Sequence, residues 1–76
     1  MIKYIHERIS MREREVLQCL ADGLTTDETA SRLFISHDTV KTHRRNLLLK
    51  MNVKNAFQLG AKATAMRLIG YYAVAE

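Results

Sequence analysis

Apolar residues recur at spacings of three and four along the chain, and no segment alternates apolar with polar positions as a half-buried strand does. The pattern predicts an all-α chain of four helices, at about 11–22, 26–34, 37–51 and 56–69. Each opens on a side chain able to accept a hydrogen bond from the unpaired amides of a first helical turn. Ser10 with Glu13 reads as a capping box, Thr25 with Glu28 as a second and Asn55 with Gln58 as a weaker version, while Ser36 is placed to cap the third helix. Gly23 follows the first helix as a residue free to turn left-handed.

The faces of these helices divide the labour. Val16, Leu17, Leu20 and Ala21 share one side of the first helix, and its other side is charged. The short second helix offers Ala30, Leu33 and Phe34 to a core. Only Ile35 and Ser36 separate it from the third, a connection that fits a helix-turn-helix with small Ala30 opposite Val40 at the crossing. At about 100° per residue, Leu47 and Met51 fall within about 20° of Val40 and form the buried stripe of the third helix. Lys41, Thr42, Arg45 and Leu49 point the other way. Arg44 and Leu48 flank the stripe on one side, His43 and Lys50 on the other. The fourth helix is apolar on two sides. Leu59, Ala63 and Met66 form one cluster, and Phe57, Ala61, Ala65, Leu68 and Ile69 form the other. A small domain covers one such face with its own core. The second face is therefore expected to meet a second copy of the chain, through Phe57, Ala61, Ala65 and Leu68; the alternative is that Tyr71, Tyr72 and Val74 fold back over it.

Charge sharpens this picture. The chain has 76 residues and a net charge of +4, and its acids are unevenly placed. Up to residue 38, Lys3, Arg8, Arg12, Arg14 and Arg32 face Glu7, Glu13, Glu15, Asp22, Asp27, Glu28 and Asp38, a balance of −2. Beyond it, Lys41, Arg44, Arg45, Lys50, Lys54, Lys62 and Arg67 face Glu76 alone, a balance of +6. Such asymmetry points to a polyanionic partner, nucleic acid or an anionic membrane surface, unless it is simply a solvated face. The membrane reading fails, because the apolar side of the third helix is needed by the core and the longest apolar run is far short of the ~18 residues of a bilayer span. The lone Cys19, with no basic-then-apolar leader at Met1, fits a reducing cytoplasm.

The residues also resemble a known family. IS-x-RE-x-EVL at 9–17, the Gly23 turn, Thr25 to Ala30, Leu33, then ISHDTVKTH and N-LLLKM-NVKN are similar to the LuxR/GerE-type DNA-binding domain, over about Ile9 to Ile69. In length the chain is similar to the family's stand-alone members. The resemblance implies a four-helix fold whose second and third helices are the helix-turn-helix and whose fourth mediates homodimerisation. It implies double-stranded DNA as partner, with Lys41, Thr42 and Arg45 facing the major groove and Ser36, Thr39, His43, Arg44, Lys50 and Lys54 near phosphates. Three positions depart from the family pattern. Thr29 replaces an aliphatic residue and removes a staple partner for Leu24. Ala56 stands where a cation is common, and Gly60 sits in mid-helix at a cost of roughly 1 kcal/mol. The organisation expected is an N-terminal arm or linker remnant at 1–8, the helix-turn-helix domain at 9–70 and a tail at 71–76.

Chemistry at these positions favours recognition over catalysis. An Arg guanidinium can donate two parallel hydrogen bonds to guanine O6 and N7, which makes Arg45 the leading candidate for base readout. Lys41 suits guanine or a phosphate, and the Thr42 methyl suits a thymine methyl. His43 has two readings, a phosphate contact or a boundary histidine hydrogen-bonded locally. His37 and His43 lie about 240° apart around their helix and cannot share a metal ion as an i,i+4 pair could. No phosphate loop, paired carboxylates or nucleophile motif occurs, so neither an enzyme nor a cofactor is expected. The functional expectation is a sequence-specific transcription regulator binding duplex DNA as a homodimer. The competing one is a protein-interaction module of the same fold that pairs with or sequesters another regulator.

Overall fold

A computed structural model describes residues 8–67 of the chain. Helix α1 spans Met11–Ala21, α2 Thr26–Leu33, α3 His37–Met51 and α4 Ala56–Ala65, with no strand among the described residues. The start signals are made as side-chain bonds. Ser10 Oγ accepts from the Glu13 amide and Glu13 Oε1 from the Ser10 amide, both at 3.0 Å. Thr25 and Glu28 exchange the same pair at 3.1 and 2.8 Å. Asn55 Oδ1 accepts from the Gln58 amide at 2.8 Å, but Gln58 Oε1 takes the Lys54 amide at 2.9 Å, so the return half of this third box lies one residue early.

Two helix ends differ from the sequence expectation. Phe34 terminates α2 in a left-handed conformation, φ 58°, and is 93% exposed. The turn that ends the helix swings its ring away from the core to which periodicity had assigned it. Helix α4 stops at Ala65 rather than 69. The amides of Met66 and Arg67 bond back to Lys62 and Thr64 at 2.9 and 3.0 Å, and φ of 60° at Arg67 breaks the helical path. Leu68, Ile69 and the expected 71–76 tail lie outside the described residues. The end of α1 is closer to expectation: Gly23 adopts φ +90°, and the Gly23 and Leu24 amides reach the Leu20 and Cys19 carbonyls at 3.1 Å. There an L side chain would be strained.

Val16, Leu17, Ala30, Val40, Leu47, Met51, Leu59 and Ala63, with Ile9, form one buried cluster, and Leu20, Leu33, Ile35, Leu48, Val53 and Met66 pack around it. Helix α3 supplies Val40, Leu47 and Met51 and packs against all three other helices. Two cations close helix ends from outside, where carbonyls lack intrahelical partners. Arg12 Nη1 donates to the Leu33 carbonyl of α2 at 3.4 Å and Lys62 Nζ to the Met51 carbonyl of α3 at 2.7 Å. The core thus fixes α3 from one side and leaves the opposite face bare.

Candidate nucleic-acid interface

The interface is built on the start of α3. The Thr39 amide donates to Ser36 Oγ at 3.0 Å, and the two hydroxyls lie 2.8 Å apart. The three-residue turn before it, Phe34 to Ser36, is closed by the Ile35 amide on the Ala30 carbonyl at 3.1 Å. A contact between His37 Nδ1 and the Asp27 carboxylate ties the first residue of α3 to the first turn of α2. Sequence reasoning missed this link, and nothing in a separation of ten residues signals it. With both ends of the turn fixed and Val40 fully buried beneath it, the facing side of α3 presents Lys41, Thr42 and Arg45 to solvent.

The three residues expected to face bases are therefore exposed side by side, and among the described residues Lys41 and Arg45 have no acidic partner. Around them, Ser36 and Thr39 are exposed at the helix start and Lys54 is exposed beyond its end. Arg44 is half-buried and donates one Nη1 bond to Thr26 Oγ1 at 3.2 Å, which steadies its guanidinium against the first turn of α2. His43 is half-buried with Nδ1 cut off from solvent and lacking any partner, so the local hydrogen bond that the sequence allowed is not made at that atom.

Lys50 sits elsewhere than expected. Its ammonium donates to Glu13 Oε1 and Oε2 at 2.8 and 3.1 Å and to the Arg8 carbonyl at 3.0 Å. An ammonium has three protons, and all three have acceptors within the fold. Lys50 is thereby removed from the set of free phosphate-facing cations. Burial alone would push the Glu13 carboxyl up, but the bonds from Lys50 and Ser10 and the Lys50 charge outweigh it and hold its pKa below the ordinary value. Burial on α1 pushes the Cys19 thiol up, against the smaller opposing effect of the Arg32 charge.

On α4 the two faces separate as periodicity expected. Leu59 and Ala63 are buried and Met66 packs against the core, whereas Phe57 is 84% exposed and Ala61 and Ala65 are exposed beside it. Leu68 lies outside the described residues. An open groove of about 560 Å³ on α2 is lined by Leu24, Asp27, Glu28, Ser31 and Arg32 and involves no α3 residue. Among the described residues no three His, Cys, Asp or Glu side chains gather to hold a metal ion, and no helix is long and apolar enough to cross a membrane.

A short turn between two helices packed on each other, the second carrying bare cations over a buried apolar stripe, is a helix-turn-helix. The family described as bacterial regulatory proteins, luxR family, matches residues 7–63. The chain belongs to that luxR family. Its relatives within the family include the response regulatory protein YgeK of Escherichia coli K12, 41% identical over 61 residues, and the transcriptional regulatory protein LiaR of Bacillus subtilis 168, 39% identical over 64. These alignments cover 80% and 84% of this chain but 40% and 30% of the relatives. The response regulator ChrA of a heme-sensing two-component system has a similar structure, with a TM-score of 0.77 at 43% identity, over 80% of this chain and 30% of that one. The luxR-family chain thus spans well under half of each of these relatives.

Proposed function

We propose that this luxR-family chain is a sequence-specific transcription regulator that binds duplex DNA as a homodimer, with α3 in the major groove. The observation that carries the reading is the row of exposed, internally unpartnered side chains at the start of α3, Lys41, Thr42 and Arg45, held on a helix whose opposite side is fully buried. In this reading Arg45 donates to guanine O6 and N7, Lys41 and Thr42 meet neighbouring base edges, and Ser36, Thr39, His43, Arg44 and Lys54 approach phosphates on either side. Since Nδ1 of His43 is shut off, its Nε2 is the nitrogen that would reach a phosphate. A second copy docks on Phe57, Ala61 and Ala65, which gives two reading helices and an approximately palindromic site. Such work belongs in the cytoplasm, where a bacterial chromosome lies.

The test is a salt-dependent titration of promoter-derived and scrambled duplexes with wild type, Arg45→Ala and Lys54→Ala. Arg45→Ala is expected to lose about 1–3 kcal/mol of discrimination at one base pair. Lys54→Ala is expected to weaken all duplexes alike and to shallow the salt slope by about one. Wild type that shows no preference and only weak, salt-erased binding would sink the proposal. That outcome would favour a module that pairs with another regulator, which the exposed Leu49 and Phe57 would serve.

A further inference from the structure

The DNA reading leaves one exposed side chain of α3 without a role. Leu49 is 74% exposed, and it is the apolar member of a row otherwise made of Asp38, Lys41, Thr42 and Arg45. It lies four residues beyond Arg45, which places it about 40° around the helix and about 6 Å further along its axis. A side chain that close to Arg45, on the same bare face, lies within reach of the surface that Arg45 meets. Among the groups at base edges in the major groove, the thymine 5-methyl is the apolar one, and the others are hydrogen-bond donors and acceptors that a Leu cannot satisfy. Burying polar edges against Leu49 would leave them unpaired, so the row discriminates against them as well as favouring the methyl.

Building on the DNA reading above, we propose that Leu49 is a specificity-determining residue that packs against a thymine methyl one or two base pairs from the base pair read by Arg45. The spacing follows from the 6 Å offset along the helix axis against a rise of about 3.4 Å per base pair. Leu49 thereby extends the reading face into the C-terminal turn of α3, and it selects a T·A pair with no hydrogen bond.

The test begins with wild type selecting its preferred duplex from a randomised pool. Each thymine of that duplex is then replaced singly by uracil, which removes the 5-methyl and leaves every hydrogen-bonding group in place. One replacement is expected to weaken wild type about four-fold, the worth of one buried methyl. The same replacement should leave Leu49→Ala unaffected, while Arg45→Ala retains the sensitivity. Leu49 contributes nothing to the buried cluster, so its Ala variant is expected to fold, and uracil replacement probes the contact with the protein unaltered. If the selected duplex binds specifically but no uracil replacement distinguishes wild type from Leu49→Ala, Leu49 does not read a methyl, although the DNA reading stands. Failure to enrich any sequence would overturn both.

Discussion

Thr29 occupies a site that its own chemistry does not suit. It is fully buried on α2, with 0% exposure, and its hydroxyl has no hydrogen-bond partner. Its amide is satisfied in the ordinary helical way by the Thr25 carbonyl at 2.9 Å, so the defect is confined to Oγ1. A buried hydroxyl without a partner costs about 1–3 kcal/mol in lost hydration. Thr29→Val exchanges that oxygen for a methyl of similar size, with almost no change in helix propensity. It also restores an aliphatic partner for the half-buried Leu24 at the entry of α2. The net expectation is a gain of about 1–2 kcal/mol, or roughly 4–8 °C in melting temperature for each kcal/mol in a domain of this size. Urea unfolding followed by circular dichroism should show a higher midpoint at unchanged slope. Thr29→Ser, which keeps the hydroxyl and drops the methyl, should fall below wild type. If Thr29→Val is neutral or destabilising, the hydroxyl is already bonded in solution and the accounting of α2 is wrong.

Three further outcomes follow from the same structure. Gly60 has no positive φ and nothing within 4 Å of an added Cβ, so Gly60→Ala should stabilise by about 1 kcal/mol in the same urea assay. Lys50→Met strands the buried Glu13 carboxylate and should cost about 2–3 kcal/mol of stability, yet in DNA titrations it should leave the salt slope unchanged; a slope shallower by about one would return Lys50 to the phosphate contacts. Because Glu13 has a lowered pKa in the folded chain, its contribution to stability is complete above its ordinary value of 4.5 and is lost as pH falls through the lower folded value. Acid unfolding below about pH 4.5 should therefore be shallower in Glu13→Gln than in wild type, and parallel curves would contradict the assignment.

The legibility of the fold followed the range of each signal. Ser10, Thr25, Ser36 and Asn55 cap through residues three positions away, so the helix starts could be read directly. The ends depend on backbone conformation, and there the sequence helps when a residue suited to the left-handed region marks the spot, as Asn52 does after α3. Gly23 did so too. Phe34 and Arg67 adopt the same left-handed region without that mark, and a rule based on apolar spacing ran both helices too far. Phe34 shows the consequence most plainly, because one residue past the helix end its side chain no longer obeys the 100° repeat and points to solvent.

The cations of α3 show where angular reasoning stops. Lys41 and Arg45 lie far from the Val40, Leu47 and Met51 stripe, so their exposure was settled by geometry alone. Lys50 lies at the margin, where a long flexible side chain can turn either way. The direction is chosen by Glu13, 37 residues earlier, whose own position is fixed by the Ser10 capping box. One carboxylate thus completes the start of α1 and holds the last turn of α3 through the same ammonium that grips the Arg8 carbonyl. The consequence is mechanical as well as energetic. The segment entering α1 and the helix that carries Arg45 share this charged link, so a change in the path of residues 8–10 would act on the C-terminal end of α3 through Lys50 as well as on the core through Ile9.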